Sequence, residues 1–166
     1  EHWDFPKDAF LVGLVGRLDP MKGQDIMVRA IAQVRKTYPD VYGVMVGNET
    51  PGLDGRYVKE LQENIRQLQL ADAIVVQGAR KDVPEVMAAL DLFVMPSWSE
   101  AFGLVAIEAM AMGVPCILAR GGSAEEVSAG SGAELVRPKD AYDLARKIIL
   151  LRNSPAVREE IGRAHV

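Results

Sequence analysis

The chain has 166 residues, 49% of them hydrophobic and 25% charged, with a formal net charge of -4. That length fits one domain, residues 1–166, with a sizeable core. The charge balance argues against a surface built to attract nucleic acid or anionic membrane. The single cysteine, Cys116, lies inside the apolar run VPCIL, so it forms no intrachain disulfide and reads as core packing in a reduced, cytosolic setting. No apolar run reaches the length of a membrane span, and the first residues lack the charged and apolar regions of a signal peptide. The two histidines, His2 and His165, stand at opposite ends. A histidine base, a Ser-His-Asp triad and a zinc site are therefore not expected, and acid–base work falls to carboxylates.

Short apolar runs alternate with longer helical patterns. AFLVGLVG (Ala9 to Gly16) reads as the first strand, followed by a helix from Gln24 to Tyr38 with apolar residues at Ile26, Ala30, Ile31 and Val34. VYGVMVG (Val41 to Gly47) is the second strand, followed by a charged helix from Gly55 to Leu68. AIVVQG (Ala73 to Gly78) is the third, and a short helix starts at Val83. LFVMPS (Leu92 to Ser97) is the fourth, before a helix from Gly103 to Met112 that Gly113 and Pro115 stop. PCIL (Pro115 to Leu118) and AELV (Ala133 to Val136) complete the strands, and a closing helix runs from Asp140 to Arg152. Strict alternation of this kind implies right-handed βαβ units: an α/β, Rossmann-like, doubly wound parallel sheet of about six strands with helices on both faces. Ligands of such sheets bind at the carboxyl ends of the strands, so the loops that follow them are the candidate sites.

The loop after the first strand, GRLDPMKG, has neither G-x-G-x-x-G nor G-x-x-x-x-G-K-[ST]. Arg17 and Lys22 flank Pro20 there, and a planar fork with a movable point charge suits a diphosphate. Two surface cations are the plainer reading. After the fourth strand comes PSWSEAFG, where Glu100 precedes Phe102, Gly103 and Leu104; backbone N–H groups at a helix start make an anion site without side chains. Here the plainer reading is a helix turn capped by Ser99, with Glu100 complementing the dipole. After the third strand, Gly78, Ala79 and Arg80 suit a base edge and its face, or a turn with a solvated charge run. Gly121 and Gly122 open another helix start after the fifth strand.

From Ala101 to Leu118 the only charged side chain is Glu108. Its helical neighbours Leu104, Val105, Ala111 and Met112 cannot pair with it. If this helix is buried, Glu108 must meet a distant cation or face a cleft where a ligand hydrogen-bonds to it, because an unpartnered buried carboxylate costs several kcal/mol; the plainer reading is a structural ion pair or a partly exposed edge.

G-R-L-x-x-x-K-G at Gly16 to Gly23, the pair Glu100 and Glu108 in E-x(7)-E, and GG-x-x-E at Gly121 to Glu125 together resemble the C-terminal half of a retaining glycosyltransferase of family four. The resemblance runs from the first strand to Arg152. It implies one half of a GT-B enzyme, in which two Rossmann-like domains face a cleft. Arg17 and Lys22 would hold the diphosphate of a nucleotide-sugar and offset the charge that develops as it leaves. Glu100 and the backbone of Phe102, Gly103 and Leu104 would contact sugar hydroxyls and phosphate, Glu108 the ribose hydroxyls, and Gly16 the approaching ligand. Gly78, Ala79 and Arg80 would receive the base. The donor implied is a nucleotide-diphosphate sugar, with a UDP-sugar favoured, and no cofactor; the absence of D-x-D agrees with metal-free chemistry. The acceptor, a glycan or lipid, would be met by an N-terminal domain absent from this chain. The protein would be cytoplasmic, reaching the inner membrane only through that domain. Ala133 and Glu134 stand where the family more often has apolar residues, which predicts an exposed edge for the last strand.

Two other readings are compatible with the same residues. One is an enzyme of another class on this fold, such as a nucleotide-sugar epimerase or a carboxylate-pair glycosidase, though a glycosidase would leave Arg17 and Lys22 without a role. The other is a non-catalytic interaction domain in which Glu108 is an internal ion-pair partner.

Overall fold

A computed structural model describes residues 3–98 and 103–165. Its strands are β1 (Phe10–Val15), β2 (Val41–Val46), β3 (Ile74–Gln77), β4 (Leu92–Met95), β5 (Cys116–Ala119) and β6 (Glu134–Val136). All pair in parallel, in the order β3-β2-β1-β4-β5-β6. The helices are α1 (Gln24–Arg35), α2 (Arg56–Gln67), α3 (Val83–Ala88), α4 (Leu104–Ala111), α5 (Ala124–Ser131), α6 (Ala141–Arg152) and α7 (Pro155–His165).

The strands are apolar throughout because both faces of the sheet are covered. Alternate residues enter two separate cores. Val12, Leu14, Met45, Ile74, Val94 and Ile117 pack with Ile26, Ile31 and Val34 of α1 and with Leu144 and Ile148 of α6. On the other face Val44, Val46, Phe93, Cys116 and Leu118 meet Val86 of α3, Ala106, Ala109 and Met110 of α4, and Ala124 of α5. Cys116 is buried as expected, and burial pushes its thiol well above the ordinary range.

Five strands fall within the segments expected from the sequence, and β5 runs one residue past its expected end, to Ala119. Two corrections concern helices. α5 is a full two-turn helix where only a start was expected, and α7 follows the expected closing helix after the break at Asn153 and Ser154. In α7, Ile161 is buried, and Gly162 lies so close to α4's C-terminal turn that a Cβ there would come within 2.4 Å of the Gly113 carbonyl oxygen. β6 is the sheet edge, as expected from Ala133 and Glu134. Glu134 is nevertheless only half exposed, and Lys147 of α6 pairs with it at 2.5 Å. Among the described residues, no helix is long and apolar enough to cross a membrane.

Candidate functional site

The strand order reverses between β1 and β4, which places the loops after these strands on opposite sides of one crevice. The loop after β1 continues pairing with the loop after β2. Gly16 N donates to Val46 O (2.9 Å), Leu18 N to Asn48 O (2.9 Å) and Thr50 N to Leu18 O (3.0 Å). Asp19 then caps a 3-10 turn, Pro20–Lys22, by accepting Met21 N at 2.8 Å, and its second oxygen accepts the Thr50 hydroxyl at 2.7 Å. The Met21 N–H, the Thr50 hydroxyl and the nearby Arg17 and Lys22 hold the Asp19 carboxyl below the usual carboxylate range.

Beneath this turn Gln24 is fully buried. Its Nε2 donates to Arg17 O (2.8 Å), and its Oε1 accepts the Tyr57 hydroxyl (3.1 Å). Burial and the neighbouring Asp25 push the Tyr57 phenol far above its ordinary value, so it remains a proton donor. The Arg17 backbone is thus pinned from below while its side chain is exposed.

The loop after β4 packs directly on this one. Gly23 adopts φ 77, and a Cβ there would lie 2.3 Å from Pro96 O, so only glycine permits the contact. Trp98 N donates to Met21 O at 2.9 Å. From the loop after β6, the Lys139 ammonium sits 3.8 Å from the centroid of the Trp98 ring. Between the loops lies a cleft of about 290 Å³ lined by Gly16, Arg17, Lys22, Ser97, Gly103 and Leu104, among others. Gly103 takes φ 58 at the start of α4, where no described side chain caps the helix. The first-turn N–H groups lack intrahelical acceptors, and with two cations opposite them the cleft suits an anion with several oxygens.

A second cleft, of about 480 Å³, shares Gly16 and Arg17 with the first and extends over the ends of β2 and β3 to Asn48, Ala79 and Arg80. Ala79 N donates to Asn48 Oδ1 at 2.9 Å. Arg80 is 15% exposed; its Nε and Nη2 reach Asp82 at 2.8 and 2.5 Å, and its Nη1 reaches Gln77 Oε1 at 3.2 Å. The Arg80 guanidinium draws the Asp82 carboxyl below its ordinary range. Arg80 is therefore not part of a solvated charge run.

The structure brings Gly16, Arg17, Lys22, Gly103 and Leu104 to one cleft and Ala79 and Arg80 to its extension. Gly78 is adjacent, its Cα facing the Asn48 amide. Glu100 and Phe102, and the capping residue Ser99, lie outside the described residues. Glu108 requires a correction: it is exposed, not buried. α4 turns its small residues Ala106 and Ala109 inward together with Met110, and leaves Leu104 62% and Ile107 43% exposed, so an apolar run that looked buried is half surface. Glu108 lies one turn beyond Leu104 and lines neither cleft. Glu125 of the third motif closes its own turn by accepting Gly121 N at 3.1 Å. Gln24, Asn48, Asp19 and Tyr57 escaped sequence reasoning; the one local sign was a polar residue immediately after Gly23, on the apolar face of α1. Among the described residues, no three His, Cys, Asp or Glu side chains gather so as to hold a metal ion.

The profile of the family "Glycosyl transferases group 1" matches residues 1–165. The D-inositol 3-phosphate glycosyltransferase of Stackebrandtia nassauensis is 35% identical over 150 residues, 86% of this chain and 34% of that protein. The lipopolysaccharide core biosynthesis mannosyltransferase LpsB of Rhizobium meliloti is 36% identical over 74% of this chain and 35% of its own length. The chain thus spans about a third of these relatives. Among solved structures, Anabaena HepE in complex with UDP-glucose superposes with a TM-score of 0.89 at 35% identity, over 95% of this chain and 43% of HepE. The C-terminal domain of the group 1 protein LpcC from Francisella tularensis gives 0.82 at 30% identity, over 94% of this chain and 82% of that domain. With a profile match over nearly its whole length, the chain belongs to the group 1 glycosyl transferases.

Proposed function

We propose that residues 1–166 are the donor-binding domain of a hexosyltransferase that takes its sugar from a nucleotide-diphosphate carrier, UDP in preference to GDP or ADP. Transfer proceeds with retention and without a metal, in the synthesis of a glycan, polysaccharide or glycolipid. The observation that carries this reading is the switch-point cleft in which Arg17 and Lys22 oppose the start of α4, which no described side chain caps. There the two cations bind the diphosphate and stabilise the charge that grows on it as the sugar leaves, in a position fixed before the ligand arrives. The Gly103 and Leu104 backbone meets the phosphate or sugar, Glu100 and Phe102 act at the same loop, and Gly78, Ala79 and Arg80 form the base end. Glu108, one turn beyond the cleft-lining Leu104, is assigned the ribose hydroxyls by the family motif alone. HepE, which has been solved with UDP-glucose, supports the choice of base.

The acceptor, a glycan or lipid, is bound by an N-terminal domain outside this chain, and the enzyme works in the cytoplasm or at the inner face of the membrane. The interaction-domain reading needed Glu108 as an internal ion-pair partner, and its exposure removes that premise. A metal-free calorimetric titration with UDP, GDP, ADP and NAD tests the proposal. Saturable binding of one nucleoside diphosphate, lost in Arg17→Ala, is expected. Preference for NAD, or a folded chain that binds none of the four, would count against it.

A further inference from the structure

The segment before β1 folds back over the sheet. Trp3 and Phe5 pack against the core layer beneath α3, and the Phe5 ring lies 4.6 Å from that of Tyr42. From there the Trp3 indole N–H donates to Gln77 Oε1 at 3.2 Å, a contact across 74 residues of chain. The same oxygen accepts Arg80 Nη1, also at 3.2 Å. Arg80 forms part of the wall between the nucleotide cleft of about 480 Å³ and a larger cavity of about 670 Å³ lined by Trp3, Phe5, Lys7 and Glu85.

Asp82 alone does not fix Arg80. The two are two residues apart in the loop between β3 and α3, so the pair can move as one body with that loop. Gln77 is different, because it ends β3, lies opposite Val46 and accepts Gly47 N through its carbonyl at 3.0 Å. It ties the Arg80–Asp82 pair to the sheet. Trp3 in turn fixes the Gln77 amide. Two N–H donors converging on one oxygen orient that oxygen towards Arg80, and without the indole the amide is free to turn its own N–H₂ towards the guanidinium.

We propose that Gln77, held by Trp3, is a positioning residue for Arg80 at the base end of the donor cleft, so that the packing of the segment before β1 tunes affinity for the nucleoside part of the donor. This rests on the donor-site reading above. Inorganic pyrophosphate, which has no base, separates the two claims. Each of UDP, GDP and ADP, and pyrophosphate, is titrated against the chain and against Gln77→Leu, Gln77→Glu, Trp3→Phe, Arg80→Ala and the Gln77→Leu/Arg80→Ala double variant, with thermal unfolding run in parallel.

For whichever nucleotide binds tightest, Gln77→Leu is expected to weaken binding about three- to tenfold, the worth of one or two neutral-acceptor hydrogen bonds, and to leave pyrophosphate affinity unchanged. Trp3→Phe moves in the same direction by less. Gln77→Glu keeps the acceptor for both donors and retains the nucleotide affinity, which covers the case in which the leucine variant folds poorly. In the Arg80→Ala background, Gln77→Leu has no further effect. Equal losses for nucleotide and pyrophosphate, unchanged nucleotide affinity in Gln77→Leu, or effects that add to those of Arg80→Ala would each overturn the positioning role. A chain that binds pyrophosphate no more weakly than any nucleotide would also overturn it. A wild-type chain that binds neither probe would overturn the donor reading itself, and this inference with it.

Discussion

α1 and α4 each follow a strand that borders the cleft, and they are built in opposite ways. α1 spends its large apolar residues inward, with Ile26, Met27, Ile31 and Val34 all buried between the sheet and α6. It reaches the site only through its first residue, Gln24, on the Arg17 carbonyl. α4 buries Ala106, Ala109 and Met110 and turns Leu104, Ile107 and Glu108 outward. Small residues inside let it lie close to the sheet, and large ones outside give it a surface. One helix is a foundation; the other keeps half of itself at the surface.

The comparison sets the expected effects in order. The largest is in the foundation: Ile31→Ala should cost about 2–5 kcal/mol of stability, read as a lower denaturation midpoint, because the cavity opens between two packed layers. Arg17→Ala should leave stability within about 0.5 kcal/mol of wild type and weaken nucleoside diphosphate binding about a hundredfold, as loss of charge-assisted bonds implies. Glu108→Ala is expected to lose roughly 10- to 100-fold in nucleotide affinity with the fold intact. If it unfolds the domain instead, α4 is foundation after all and the contrast with α1 collapses. Ile107→Ser should cost about 1 kcal/mol of stability, well below Ile31→Ala, since Ile107 is already 43% exposed.

The smallest effect is electrostatic. The folded state lowers the Asp19 carboxyl from its ordinary value of 3.8, so the unfolded chain binds more protons in acid. Stability from this group is complete above that value and is lost as the pH falls through the folded-state value. Asp19→Ala should therefore show a shallower loss of stability between about pH 5 and about pH 3 than wild type.

How much of this was legible in the sequence follows from the range of the interactions. The six strands were, because a parallel sheet covered on both faces needs continuous apolar runs. Arg17 and Lys22 were, because they share a loop with a recognisable turn. Their support was not: Tyr57 meets Gln24 across 33 residues, and Asp19 meets Thr50, and Asn48 meets Ala79, across 31. No local pattern records such pairs. α7 was hidden because its Gly162 looks like a break, and becomes intelligible only once Gly113 is seen against it. Glu108 misled for a different reason. An apolar run does not by itself mean burial: in α4 one helical face, Ala106, Ala109 and Met110, is inside, while apolar Leu104 and Ile107 share the outward face with Glu108.

The buried amide of Gln24 has a thermodynamic consequence. It holds the Arg17 backbone through partners that belong to the domain, Tyr57 on one side and the Arg17 carbonyl on the other. The cation loop therefore has little freedom left to lose when an anion arrives. Diphosphate association should then carry only a small ordering entropy and a small heat-capacity change, the signature of a site already in shape.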